Sequence, residues 1–95
     1  MLNSNLKNII IKKINSAVYY VNADKVINFH GVSAPLIDNY KCIGICGVDP
    51  GNADVRLEGF FLGEDLNAYV HLKNDTSSNL SDTLTVTFLY VLEII

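Results

Sequence analysis

Residues 83–93 read TLTVTFLYVLE, and this stretch decides the fold. Leu84, Val86, Phe88, Tyr90 and Leu92 share one side of a two-residue period, while Thr85, Thr87, Leu89, Val91 and Glu93 share the other. Such alternation among β-branched and aromatic residues marks a strand, because successive side chains leave a pleated backbone on opposite faces. The threonine face turns apolar at Leu89 and Val91, so the strand asks for cover on both sides.

The same period runs upstream. In 66–73, LNAYVHLK, the residues Leu66, Ala68, Val70 and Leu72 oppose Asn67, Tyr69, His71 and Lys73, the pattern of a half-exposed antiparallel strand. In 55–62, VRLEGFFL, Arg56 and Glu58 point outward and Gly59 invites a bulge or a close approach by a neighbouring chain. GEDLN at 63–67 joins these two at hairpin distance. Residues 40–48 form a strand with small residues on one face, and VDPGNAD at 48–54 is the strongest turn signal in the chain. Before it, KVINFH at 25–30 reads as a short strand and 32–40 as a loop broken by Pro35. The isoleucines of 6–14 favour a strand over a short helix, with another strand at 18–21, and the polar run at 74–82 is an exposed loop. Six to eight short strands with a turn every ~8–12 residues predict an all-β fold, a small antiparallel β-sandwich or jelly roll. Residues 22–95 are expected to form the sandwich, and 1–21 an N-terminal attachment or oligomerisation segment.

Composition bounds what this domain can do. Ninety-five residues leave no room for a Rossmann unit, a (β/α)₈ barrel or a kinase. At 49% apolar and 18% charged residues the chain is too hydrophobic for a disordered tail, and the excess at this size points to apolar surface shared between subunits. The net charge of −3 argues against nucleic-acid partners, since phosphate binding needs clustered cations and only Lys7, Lys12 and Lys13 cluster. Those lysines read as guards of a strand edge. No apolar run reaches the ~18 residues of a membrane span, and polar Asn3, Ser4 and Asn5 break the layout of a secretion signal. Synthesis in the cytoplasm without membrane insertion is the expectation.

No catalytic set emerges, and the chain is expected to be non-enzymatic, without metal or cofactor. His30 and His71 lie in separate strands, and neither GxSxG, GxGxxG nor a Gly-Lys-Ser/Thr phosphate loop occurs. Glu64 and Asp65 are neighbours that diverge if extended, which does not suit a paired-carboxylate site. Asp49, Asn52 and Asp54 crowd one turn but lack the spacing and distal Glu of an EF-hand, so a turn that solvates its own side chains is the plainer reading. In KCIGICG, Cys42 and Cys46 would lie on the same side of a strand ~13 Å apart, too far to bridge, and no further Cys or His pair completes a zinc site. Buried reduced thiols are expected. Among the five tyrosines, Tyr69 stands out, because with Asn67 and His71 it could stack on a sugar ring while its neighbours hydrogen-bond; packing against another subunit is the alternative.

The order of elements resembles a known group. A turn and strand (NADKVINFHGVS), a strand reading YKCIGICGVD, an aromatic strand (VRLEGFFLG), then NAYVHLKN, a Ser-rich loop (DTSSNLSD) and a closing TLTVTFLYV follow one another over roughly residues 22–91. This is similar to the small β-sandwich domains at the ends of bacteriophage fibres and in head-fibre or capsid decoration proteins. The resemblance implies a virion structural protein, a homotrimer in a head or tail fibre or decoration appendage, attached to other virion proteins through the N-terminal segment. Two-faced apolar strands and exposed backbone at Gly44, Gly47 and Gly59 agree with self-association, and the interface is expected to comprise Ile9, Ile11, Leu84, Val86, Phe88, Leu89, Tyr90 and Val91. Two alternatives stand beside it: a receptor-recognition module whose Asn67, Tyr69 and His71 contact host-surface carbohydrate, and a small intracellular phage effector that inhibits a host protein.

Overall fold

A computed structural model describes residues 10–23 and 27–93. Six strands, β1 (Ile10–Val21), β2 (Asn28–Ser33), β3 (Tyr40–Asp49), β4 (Val55–Leu62), β5 (Asn67–Asn74) and β6 (Leu80–Leu92), form two three-stranded antiparallel sheets. The first has the order β1-β6-β3 and the second β2-β5-β4, so the chain is all-β and folds as a small β-sandwich. β4 and β5 make a hairpin within one sheet; the other connections pass from sheet to sheet.

The two cleanest alternations in the sequence are the central strands, because a strand flanked on both edges and buried on one face keeps a strict apolar register. From β6, Leu84, Val86, Phe88 and Tyr90 point inward and are buried, and from β5 Ala68, Val70 and Leu72 meet them in one core. Tyr19 and Val21 of β1, Val32 of β2, Cys42 of β3 and Val55 of β4 complete it. This placement corrects the expected interface: Leu84, Val86, Phe88 and Tyr90 are the interior of a single chain, because the second sheet supplies the cover that the last strand requires. Ile11 also faces inward, half-buried against the core. Leu89 and Val91 keep the opposite, outward side of β6. Ile9 lies outside the described residues.

β1 differs from expectation in a second way. Residues 10–21 pair with β6 along their whole length, from Ile10↔Val91 to Val21↔Leu80, so this stretch is an integral edge strand and the boundary expected after residue 21 does not separate it from the sandwich. Because Ile10 pairs with Val91 while Tyr40 pairs with Leu92, the chain comes in and goes out side by side at one pole of the sandwich. The Ser-rich loop is also shorter than expected, since residues 80–82 already belong to β6, and β2 runs on to Ser33 before Pro35 stops it.

Both poles are tied by buried tyrosines. Tyr19 donates through its hydroxyl to the Pro50 carbonyl at 2.6 Å, and Tyr90 donates to the Pro35 carbonyl at 2.6 Å. The 49–54 turn satisfies its own side chains as expected: Asp49 Oδ1 accepts from Gly51 N and Asn52 Oδ1 from Asp54 N, each at 2.9 Å. Gly51 sits at φ +78°, and a Cβ there would lie 2.8 Å from the Thr83 carbonyl oxygen, so both backbone and space demand glycine. Asn74 is the one buried polar side chain among the described residues of the core. Its Nδ2 donates to Val21 O (3.1 Å) and Ser78 O (2.6 Å), and its Oδ1 accepts from Thr76 N (2.9 Å) and Thr76 Oγ1 (2.6 Å). One amide thereby fixes both the 75–79 loop and the end of β1.

Candidate functional site

Asn67, Tyr69 and His71 do come together, on the outer face of β5, where the two-residue period sends them away from the core. Neighbouring strands add what the sequence reading did not assign. Phe29 of β2 pairs with His71, Ser33 of β2 with Asn67, and Phe61 of β4 with Tyr69. Phe61 reaches this face because a bulge between Leu57 and Gly59 reverses the alternation of β4, so that Phe61 rather than Phe60 points outward beside Tyr69. Gly59 was the signal for that shift.

The result is an aromatic surface. The Phe61 and Tyr69 rings stack at 5.2 Å, and His71 takes Phe29 edge-on at 4.4 Å and Phe61 edge-on at 6.1 Å. Phe29 remains 68% exposed and Phe61 53%. His71 Nε2 is buried among these rings without a hydrogen-bond partner, so the imidazole acts as a spacer between two phenylalanines. A Cβ on Gly31 or Gly59 would come no nearer than 4.0 and 3.9 Å to any other atom outside its chain neighbours, which leaves the ring faces beside them uncrowded.

Along the surface runs a row of polar groups. Ser33 Oγ donates to Asn67 Oδ1 at 2.6 Å, Asn67 Nδ2 donates to Asp65 Oδ2 at 3.0 Å, and the Tyr69 hydroxyl donates to the same carboxylate oxygen. The hydrogen bonds from Tyr69 and then Asn67 hold the Asp65 carboxyl below its ordinary range, and the bond to Asp65 raises the Tyr69 phenol. At neutral pH the row therefore ends in a carboxylate acceptor. Leu66, between Asp65 and Asn67, adopts φ 63°, a left-handed conformation that a branched side chain rarely takes. Around it Asn67 N closes back on Asp65 Oδ1 at 3.2 Å, which holds the carboxylate beside Tyr69. A Cβ at Gly63 would meet Asp65 Oδ1 and Tyr69 Cε2 at 2.6 Å, so a side chain there would have to displace this pair. At the far end Arg56 pairs with Glu58 and Asp75 at 3.1 Å and Lys73 with Asp75 at 3.7 Å, leaving the face without a dominant positive charge.

A second exposed surface covers the outside of the β1-β6-β3 sheet. Ile10, Ile14, Val18 and Tyr20 stand along β1, with Ile14 64% and Tyr20 73% exposed. Leu89 and Val91 of β6 and Ile43 of β3 extend this patch, and Gly44 and Gly47 thin it into a shallow furrow, a Cβ at Gly44 meeting nothing within 4 Å.

The remaining titratable groups are scattered. His30 faces inward, half-buried against Tyr19, with Nε2 unpartnered and its pKa lowered by burial; it lies on the opposite side of the sheet from His71. A bulge between Cys42 and Gly44 undoes the expected common side of the cysteines: Cys42 is buried, its thiol pKa raised by burial, and Cys46 is exposed. At the pole where the chain comes in and goes out, a cleft of about 570 Å³ is lined by Pro35, Ile37, Tyr40, Cys42, Leu66 and Tyr90, and it includes neither histidine. Among the described residues no three His, Cys, Asp or Glu side chains cluster as a metal site, and no helix is long and apolar enough to cross a membrane. Comparison with known proteins finds no matching family model, no matching curated protein and no matching solved structure.

Proposed function

We propose that this chain is a non-catalytic structural subunit that self-associates through the outer face of the β1-β6-β3 sheet. The observation that carries the reading is the row Ile10, Ile14, Val18 and Tyr20 on an edge strand, continued by Leu89 and Val91. Exposed apolar side chains in such a row, interrupted on β1 only by Lys12 and Ser16, are costly to hydrate, and an edge strand beside them adds unpaired backbone groups for a neighbour. Lys12 of β1 and Lys41 of β3 stand on this face at its Ile10 end, while the stretch of β1 from Ile14 to Tyr20 carries no charge on it. The finer setting, a homotrimer in a bacteriophage head or tail fibre or a capsid decoration appendage, rests on the resemblance of element order.

The test is the mass in solution. Light scattering at micromolar concentration is expected to give about three times the 10.5 kDa of one chain, and the double substitution Ile14→Lys with Val18→Lys is expected to reduce it to one. A monomeric wild type refutes self-association, and a dimer refutes the trimer. Finding the chain by mass spectrometry in purified phage particles tests the setting; its absence there favours the effector alternative.

A further inference from the structure

We infer that the outer face of the β2-β5-β4 sheet is a carbohydrate-binding platform for a neutral pyranose. The inference does not rest on how the chain assembles. Two exposed phenylalanines, Phe29 and Phe61, stand on either side of His71, on strands that flank β5 and are therefore about 10 Å apart. Their rings are held by His71 and Tyr69 rather than by the core, so the face is built before any ligand arrives. A sugar presents an apolar C–H face ringed by hydroxyls that both donate and accept. The platform presents the complement: ring faces for the C–H groups and, beside them, a fixed polar row.

Capacity remains in that row. Asn67 Nδ2 uses one of its two hydrogens on Asp65, so the second is free to donate to a sugar hydroxyl. Asp65 has lone pairs beyond those taken by Tyr69 and Asn67, and Ser33 Oγ donates to Asn67 while its own lone pairs stay available. A vicinal diol could thus place one oxygen on the amide and one on the carboxylate. The charge decides between saccharide classes. Asp65 is an ionised acceptor at the end of the row, beside Tyr69, while Arg56 and Lys73 are engaged by Glu58 and Asp75, so a sialylated or uronic sugar is repelled and a neutral one is not.

The experiment is a glycan array of neutral galactosides, glucosides and mannosides beside sialylated oligosaccharides, probed with the full chain, with calorimetric titration of the disaccharides lactose, cellobiose and mannobiose. Neutral saccharides are expected to bind. Phe61→Ala and Asn67→Ala are each expected to weaken that binding about ten-fold or more, as removal of a stacking face or of the amide would. Phe61→Tyr, which keeps the ring, should retain it. Leu36→Ala, on an exposed side chain of the β2–β3 loop, should have no effect. Circular dichroism and light scattering accompany each variant. Absence of saccharide binding, binding of sialylated glycans alone, or undiminished binding by both alanine variants overturns the inference. So does a fall in particle mass with Phe61→Ala, which would assign the face to a second copy of the chain.

Discussion

Replacing Asn74 probes the fold at the point where one side chain does most. In the wild type its amide makes four hydrogen bonds inside the sandwich, two as donor and two as acceptor. At a net ~0.5–1.5 kcal/mol each, the sum is roughly 2–6 kcal/mol, but the ends are not equal. Thr76 and Ser78 sit in an exposed loop and recover water when the amide is lost, whereas the Val21 carbonyl loses this donor in the interior. Asn74→Ala is therefore expected to cost about 3 kcal/mol, or a fall in Tm of ~12–24 °C for a domain of this size. Asn74→Asp sharpens the argument. It keeps the shape and the acceptor but turns a carboxylate toward the Val21 and Ser78 carbonyls, so at pH 7 it should be less stable than Asn74→Ala. Burial and those two oxygens raise the pKa of the introduced carboxyl in the folded state, so its penalty is largest above the folded pKa and fades as pH falls toward the unfolded value of ~3.9. Urea titrations followed by circular dichroism at pH 7 and pH 4 measure both effects. An Asn74→Ala variant within ~0.5 kcal/mol of wild type, or an aspartate variant that outlasts alanine at pH 7, refutes the reasoning.

Three further outcomes are expected. His30 has its pKa lowered from 6.5 by burial, so the unfolded chain binds a proton that the folded chain resists; stability should decline as pH drops below 6.5, and His30→Leu should flatten that slope in urea titrations from pH 8 to 5. Phe88→Ala is expected to cost about 3–5 kcal/mol while Leu89→Ala, one residue along and outward, costs much less in a dilute sample; equal losses would contradict the inward and outward assignment of β6. With iodoacetamide, one thiol per native chain should react, that of Cys46, and the buried Cys42 only after unfolding, as peptide mapping would show.

Most of the sandwich was legible because its central strands advertise themselves. The β5 and β6 alternations are uninterrupted, and they predict both the strands and the sides of Asn67, Tyr69 and His71. Local pattern leaves open which chain covers a strand that is apolar on both sides. Leu84, Val86, Phe88 and Tyr90 found their cover in β5 of the same molecule, a pairing of sheets that local pattern does not encode. Bulges account for the other departures. An extra residue at Glu58 moves Phe61 onto the aromatic face, and another at Ile43 sends Cys42 and Cys46 to different environments. Glycine at 44, 47 and 59 hints at such irregularities without saying which side chain will turn. The left-handed Leu66 had no sequence signal, since leucine is among the last residues expected there.

The shared pole of Ile10 and Glu93 also governs how this protein can be displayed. The β5 end that carries Asp65 and Asn67 lies at that same pole, while the 49–54 turn lies at the other. Ile10 itself belongs to the β1-β6-β3 sheet and Glu93 follows directly on β6, so they reach this pole on the opposite side of the sandwich from the rings, which face out from β2-β5-β4. Coupling through the exposed Ala53, in the opposite turn, would hold the molecule by the pole farthest from Asp65 and Asn67, with the polar row facing outward from a surface.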